Sequence, residues 1–331
     1  MNIMDVSKIN LLFAGFSCID IIKIDNDEIS LLGGTAANVA SILSMIGLNT
    51  NFLQPRYIGY NHHWFENEFK KRKINLIEFK TKDITVPCII EQLRQESHVF
   101  STTCPICNKK INEIILPQKN NVKDLYEKII PNLFFYDRIS SGIKMIVQKN
   151  KTGWNMYEPN SIRIYETFLK NASDADIVKI SEESISLKHI EQLKRDLDFS
   201  KVMLFIVTSG SNGFRYSFRL GNKLSDWIYT PADIALNFVD SSGAGDWFSA
   251  VFLYKFIQKY PIHVDVIDKK VLDSCFKMAA KAASYSCSFV GAQGIFEDKD
   301  GIFNMNCILD SKMHVLTNTK ITKKGCYFCY K

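Results

Sequence analysis

The sequence predicts an α/β protein: a mostly parallel central sheet covered by helices on both faces, with a small additional β-sheet projecting from it. Three observations carry that reading. Short apolar runs recur as strand candidates at residues 11–16, 133–136, 155–157, 177–180 and 202–207. Helical periodicity is clear at Val39, Ile42, Leu43 and Ile46, and again at Leu272, Cys275, Phe276, Ala279, Ala283 and Ser286. Near-continuous apolar strands alternating with amphipathic helices fit a sheet buried on both faces, which binds ligands at the carboxyl ends of its strands. The third observation is a break in this rhythm. Segments 17–32 and 84–103 hold strand-like stretches (19–24, 88–93 and 98–101) with no helix between them, which suits a small separate sheet. No Pro/Gly/Ser-rich linker and no internal repeat divides the chain, so residues 1–331 read as a single domain with one excursion.

Bulk properties narrow the functional classes. Hydrophobic residues at 46% and charged residues at 23% are ordinary for a globular protein. A net charge of +6 leans mildly towards anionic ligands but is too small and dispersed for a nucleic-acid surface. The densest basic run, Lys70-Lys71-Arg72-Lys73, follows Trp64, Phe65 and Phe69 and reads as the solvated face of an amphipathic helix. No stretch reaches the ~18 apolar residues of a membrane span. The apolar run 9–22 is broken by Gly15, Ser17 and Asp20 and lacks a basic start, so it reads as a first strand and its continuation. Nine cysteines, an odd count whose closest pairings are Cys-x-x-Cys, favour a reducing cytoplasmic setting over a disulfide framework.

The stretch Asp240-Ser241-Ser242-Gly243-Ala244-Gly245-Asp246 carries the chemistry. Its small residues let backbone N–H groups approach an anion, and a helix with Phe248, Val251, Phe252 and Phe256 on one face begins there and adds its dipole. Asp246 sets a carboxylate at the same helix start. An anion cradle beside a carboxylate is what phosphoryl transfer to a hydroxyl needs. Upstream, Gly33-Gly34-Thr35-Ala36-Ala37-Asn38 precedes the first clear helix, and Asp20 lies just past the first strand. Thr208-Ser209-Gly210-Ser211-Asn212-Gly213 follows the strongest strand candidate. Alone, the first is better explained by a helix-start turn without a ligand, Asp20 is only a plausible hydroxyl acceptor, and a simple turn explains the last nearly as well. There is no Gly-x-x-x-x-Gly-Lys-Ser/Thr and no His-Glu-x-x-His, and His62 and His63 read as decoration of a helix start.

Taken in order, Asp20, the Gly33-Gly34…Asn38 turn, Thr208-x-Gly210-x-x-Gly213 and Asp240-x-x-Gly243-x-Gly245-Asp246 resemble the ribokinase-like (PfkB) carbohydrate kinase family, from about residue 9 to about 294. The resemblance implies a three-layer α/β/α fold, with segments 17–32 and 84–103 as a lid. It implies an ATP- and Mg²⁺-dependent phosphorylation of a sugar or sugar-like alcohol. Asp246 would be the base and Gly243, Ala244 and Gly245 the anion hole. Asp20, Gly34 and Asn38 would hold sugar hydroxyls, while Thr208, Gly210, Gly213, Lys179 and Ser181 would border the nucleotide. Glu158-Pro159-Asn160 and Arg163 look like the family's acidic-Pro-Asn segment, with Glu in place of the more usual Asp. Lys179-Ile180-Ser181-Glu182-Glu183-Ser184 departs from the family's Lys-x-Asn-x-x-Glu, leaving Glu183 as the candidate for the magnesium-bound water network. Members commonly dimerise through the lid, so a homodimer is the protein partner implied.

Two other readings stay open. A nucleoside acceptor would need an aromatic slot, for which Phe100 and Tyr57 are candidates, and a kinase scaffold without turnover would serve binding or regulation. Cys104-Pro105-Ile106-Cys107 and Cys326-Tyr327-Phe328-Cys329 can present four thiolates to one structural zinc, clipping the tail at 310–331 to the lid. Independent surface thiols or a redox dithiol are the alternatives. Cys18, Cys88, Cys275, Cys287 and Cys307 have apolar neighbours and read as buried small hydrophobes.

Overall fold

Strand β1 (Asn10–Ala14) is an interior strand of the main sheet, and its apolar residues have a buried face on each side. The computed structural model describes residues 9–24, 27–94, 97–103, 114–125 and 129–309. After β1 come β2 (Cys18–Ile24), β3 (Asp27–Gly33), α1 (Thr35–Met45), β4 (Asn49–Pro55), α2 (His62–Lys71), β5 (Asn75–Phe79), β6 (Cys88–Arg94) and β7 (Ser97–Ser101). The second half contributes β8 (Leu133–Tyr136), α3 (Ser141–Lys149), β9 (Trp154–Tyr157), α4 (Tyr165–Ala172), β10 (Ile177–Ser181), α5 (Leu187–Leu197) and β11 (Leu204–Thr208). Strands β12 (Phe214–Leu220), β13 (Lys223–Leu224) and β14 (Ile228–Thr230) follow. The long helices α6 (Ala244–Lys259) and α7 (Lys269–Ser286) and then α8 (Lys299–Ile308) come last among the described residues.

The main sheet has the order β13-β12-β11-β10-β9-β8-β1-β4-β5, with β14 alongside β12. From β5 across to β11 all pairs are parallel, and β12 reverses against β11. Alternate side chains feed two cores. Leu11 and Phe13 join the core under α1, α2, α6 and α7, whereas Leu12 and Ala14 join the one under α3, α4 and α5. Each fully buried Leu, Ile or Phe in these layers contributes about 1.5–3 kcal/mol relative to exposure. The predicted three-layer arrangement is therefore the observed one. So is the small sheet, of order β3-β2-β6-β7, drawn from the two segments that break the helix–strand rhythm.

Strand ends differ from the predicted ones by up to two residues, because hydrogen-bonded pairing stops where the carboxyl ends open into loops. Helix α6 is buried nearly all round, not along one stripe, since α1 and α7 as well as the sheet pack against it. Arg72 overturns the reading of the basic run as a solvated face. The helix ends there, Lys73 leaves in a left-handed conformation (φ 56), and the Arg72 side chain turns inward to 1% exposure. Cys18, Cys88 and Cys275 are buried as expected, but Cys287 is only partly covered and Cys307 is exposed, on the outer side of α8. Tyr57 sits in the core with its ring edge-on to Phe65, 5.5 Å between centroids, so its ring is taken up by packing. The side chain of Phe100 lies outside the described residues.

Candidate active site

The carboxyl ends of β1, β8, β9, β10 and β11 all open on one edge of the sheet, and the residues following them converge there. At this edge α6 begins. Its N-cap, Gly243, is left-handed (φ 82, ψ −3). A Cβ at this position would lie 2.3 Å from the Cα of Ala292, so both the turn and the close packing demand glycine. The carboxylate of Asp240 braces the loop by accepting from Ser242 N–H and Gly291 N–H, each at 2.7 Å. Ala244 N–H turns back onto Ser241 O at 3.1 Å.

Asp246, in the first turn of α6, is 8% exposed. Its Oδ2 accepts from Asn38 Nδ2 at 2.7 Å, which joins the start of α6 to the start of α1. Burial pushes the Asp246 carboxyl up to about 8, and the nearby Glu158 carboxylate adds to this. The Asn38 hydrogen bond and the charge of Lys179 pull the other way. Beneath the helix start, Lys179 projects from β10, pairs with Glu158 and donates to Gly245 O at 3.1 Å. Ser249 Oγ donates to the second Glu158 oxygen at 2.6 Å.

Asp20 extends from β2 of the small sheet over the paired glycines. A Cβ on Gly33 would fall 1.9 Å from Asp20 Oδ2, so Gly33 leaves the room that this carboxylate occupies. Burial raises the Asp20 carboxyl to about 7; the Cys18 thiol, donating to Oδ1 at 3.2 Å, opposes the rise and Glu91 reinforces it. Gly34 (φ 92) caps α1, four residues ahead of Asn38. Thr35 Oγ1 donates to Asn160 Oδ1 at 2.9 Å, tying that cap to the Glu158-Pro159-Asn160 segment; Arg163 is exposed.

The residues expected around a nucleotide lie on the neighbouring strand ends. Ser181 and Thr208 are register partners on β10 and β11. Gly210 (φ 54) faces open space, and Gly213 (φ 92) packs its Cα against Thr230 O. Glu183 is exposed on the short turn 182–184, next to Glu182, which pairs with Arg215 at 3.1 Å. Cys104, Cys107, Cys326 and Cys329, the four thiols of the expected zinc site, lie outside the described residues.

Three site residues escaped the sequence reading. Asp137, directly after β8, accepts Phe16 N–H on Oδ1 at 2.9 Å, and its buried Oδ2 has no hydrogen-bond partner among the described residues. Burial raises its carboxyl to about 6, against the pull of Arg138 and the Phe16 N–H. An acid one residue past an apolar strand was the available signal. Glu91 on β6 accepts from Ser242 Oγ, linking the small sheet to the glycine loop. Gln293 donates to Asn38 Oδ1 at 3.0 Å from a segment with no motif of its own.

A family model described as pfkB family carbohydrate kinase matches residues 137–299. No curated protein sequence matches the chain. Among solved structures, a fructokinase with bound ATP from Xylella fastidiosa is similar with TM-score 0.70 at 17% identity, over 86% of this chain and 93% of that one. Ribokinase from Giardia lamblia gives 0.67 at 15% identity, over 87% and 95%. Aminoimidazole riboside kinase from Salmonella enterica, complexed with aminoimidazole riboside and an ATP analog, gives 0.64 at 16%, over 91% and 100%. Identities this low speak for the fold alone. The matched segment, however, contains Glu158, Lys179, the Thr208–Gly213 turn and the whole of the glycine loop with Asp246. Among the described residues no helix is long and apolar enough to cross a membrane.

Proposed function

We propose, from the premise that this chain is a member of the ribokinase-like (PfkB) carbohydrate kinase family, that it transfers the terminal phosphoryl group of ATP to a hydroxyl of a sugar or sugar-like alcohol. One observation carries the reading: a buried carboxylate, Asp246, stands in the first turn of α6 directly behind a left-handed glycine, with an amide donor on its Oδ2. Asp246 accepts the acceptor's hydroxyl proton, the freed oxygen attacks the terminal phosphorus, and ADP leaves. Gly243, Ala244 and Gly245, at the positive end of the helix dipole, balance charge on the transferring group. Asp20, Gly34 and Asn38 orient the acceptor, and the unpartnered Oδ2 of Asp137 adds a place for a hydroxyl donor.

ATP lies over the strand ends, along Ser181, Thr208, Gly210 and Gly213, with Lys179 supporting the cradle from below. Magnesium, when bound on the phosphates, neutralises their charge. Glu183 suits its water shell, being a hard oxygen donor exposed at the same edge. The sheet of β2, β3, β6 and β7 closes over the acceptor and keeps water out.

The test is Asp246→Asn. Turnover is expected to fall roughly a hundred- to ten-thousand-fold, with ATP and acceptor binding retained. Wild-type turnover in this variant would remove the base from the reading. Coupled ATP consumption with ketoses, aldoses and nucleosides then identifies the acceptor class. ATP binding without turnover on any acceptor would favour a regulatory scaffold instead.

A further inference from the structure

Arg72 is a guanidinium at 1% exposure at the end of a surface helix, and it starts a directed chain of hydrogen bonds that ends on Asp246. Arg72 Nε donates to Gln293 Oε1 at 2.9 Å. Gln293 Nε2 donates to Asn38 Oδ1 at 3.0 Å, and Asn38 Nδ2 donates to Asp246 Oδ2 at 2.7 Å. All four residues are buried. An arginine offers only donors, so its end fixes which way both amides point, and a carboxylate accepting at the other end agrees with that direction. Reversing the Asn38 amide would set its carbonyl against the carboxylate of Asp246. Reversing Gln293 would set its NH₂ against the guanidinium.

We propose that Arg72 and Gln293 are positioning residues for the catalytic centre: they lock the Asn38 amide with its NH₂ towards Asp246 and so favour the ionised, proton-accepting form of the base. The inference rests on Asp246 being the base, as proposed above. Both residues are themselves anchored. Gln293 ends a segment that also braces the glycine loop, through Gly291 N–H on Asp240 and through Ala292 O, which accepts Trp247 Nε1 at 2.8 Å. The Arg72 Nη1 donates to Glu68 Oε2 at 2.5 Å, Lys71 occupies the other oxygen of Glu68, and Ser44 Oγ donates to the Arg72 carbonyl at 2.6 Å. The charged groups facing Asp246 are Glu158 and Asp20, which favour its protonated form, and Lys179, which opposes it. The Asn38 amide is the neutral donor in this balance, and it is the one that the relay controls.

Gln293→Glu tests the relay with little change of shape. The new carboxylate keeps Arg72 as a partner but has no NH₂ for Asn38. The Asn38 amide must then turn, presenting its carbonyl oxygen to Asp246. The acid limb of kcat/KM is expected to move up by about one pH unit, an approximately tenfold loss on that limb, with KM for ATP unchanged. Gln293→Met, which removes both polar ends at similar length, is expected to shift the limb in the same direction by less, and it supplies the reading should Gln293→Glu not fold. Arg72→Lys, which retains a donor, is expected to restore most of the wild-type profile, whereas Arg72→Met does not. An unshifted acid limb in a folded Gln293 variant, beside an inactive Asp246→Asn, overturns the relay and leaves the base in place. An active Asp246→Asn overturns the base itself, whatever the Gln293 variants do.

Discussion

Around the start of α6, where the proposed base stands, Asn38, Glu158, Lys179 and Asp246 are buried and bonded to one another or to residues behind them. On the proposed nucleotide side, Ser181 stands exposed at the end of β10, and Glu183 and Gly210 stand exposed on turns. The first side has its dipoles and charges fixed before any ligand arrives, which is what electrostatic stabilisation of a transferring group requires. That order has a cost in stability, because ionising a carboxyl in a dry pocket is unfavourable. The second side is unencumbered and gains its contacts when the ligand binds. Substitutions on the two sides should therefore differ in kind: stability and rate on one, affinity on the other.

The largest effect is expected for Lys179→Met. It leaves Glu158 buried without its cation, and breaking such a pair costs about 3–5 kcal/mol; the drop in thermal midpoint measures it. Next comes the stability of Asp246→Asn. The folded-state carboxyl titrates near 8, far above its unfolded value of 3.8, so the native protein holds that proton through the window between them. Stability from this group is intact below pH 4 and is lost as pH rises towards 8. The Asn variant is thus expected to melt a few degrees above wild type at pH 8 and alongside it near pH 4. A midpoint below wild type at pH 8 would show that the site is not strained by its charge. With Asp246 as the proposed base, the acid limb of acceptor kcat/KM is expected near pH 8, and a pH–rate profile checks it.

Two glycines of one turn give the smallest and sharpest contrast. A Cβ at Gly213 would meet Thr230 O at 2.2 Å, while one at Gly210 meets nothing within 4 Å. Gly213→Ala should lower the thermal midpoint clearly. Gly210→Ala carries only the roughly 1 kcal/mol of a left-handed alanine and should instead raise KM for ATP several-fold. Equal loss of stability in both would mean that the turn is structural throughout.

Legibility in the sequence followed the range of the interactions. The glycine loop, the paired glycines before α1 and the alternation of strand and helix are local patterns, and they led to the fold and to Asp246. Arg72 was hidden for the opposite reason. Four consecutive basic residues read as a solvated face, and only the end of α2, with Lys73 leaving in a left-handed turn, swings the third of them inward. Gln293 has no local signature, since its partners come from α1 and the end of α2. Asp137 is one acid after one strand, and its meaning comes from the edge at which β8 ends. The close ligand-facing spacing of Gly33 was legible only in part. The turn was expected, but the Asp20 carboxylate that fills the missing side chain's space was not.

The small sheet has an order of assembly written into its pairing. Strands β2 and β6 lie side by side in parallel, Ile19 against Cys88 through Lys23 against Gln92. Parallel neighbours cannot be joined by a tight hairpin, and the chain between them makes β3, α1, β4, α2 and β5 before it returns. Closing that long loop is favourable only once the edge of the main sheet has formed. The pairing of β2 with β6 is therefore expected to form late, and pulse proteolysis during refolding would show the β6 and β7 segment protected last. The small sheet is also not a transferable hairpin: moving it to another scaffold would mean carrying α1, β4, α2 and β5 along with it.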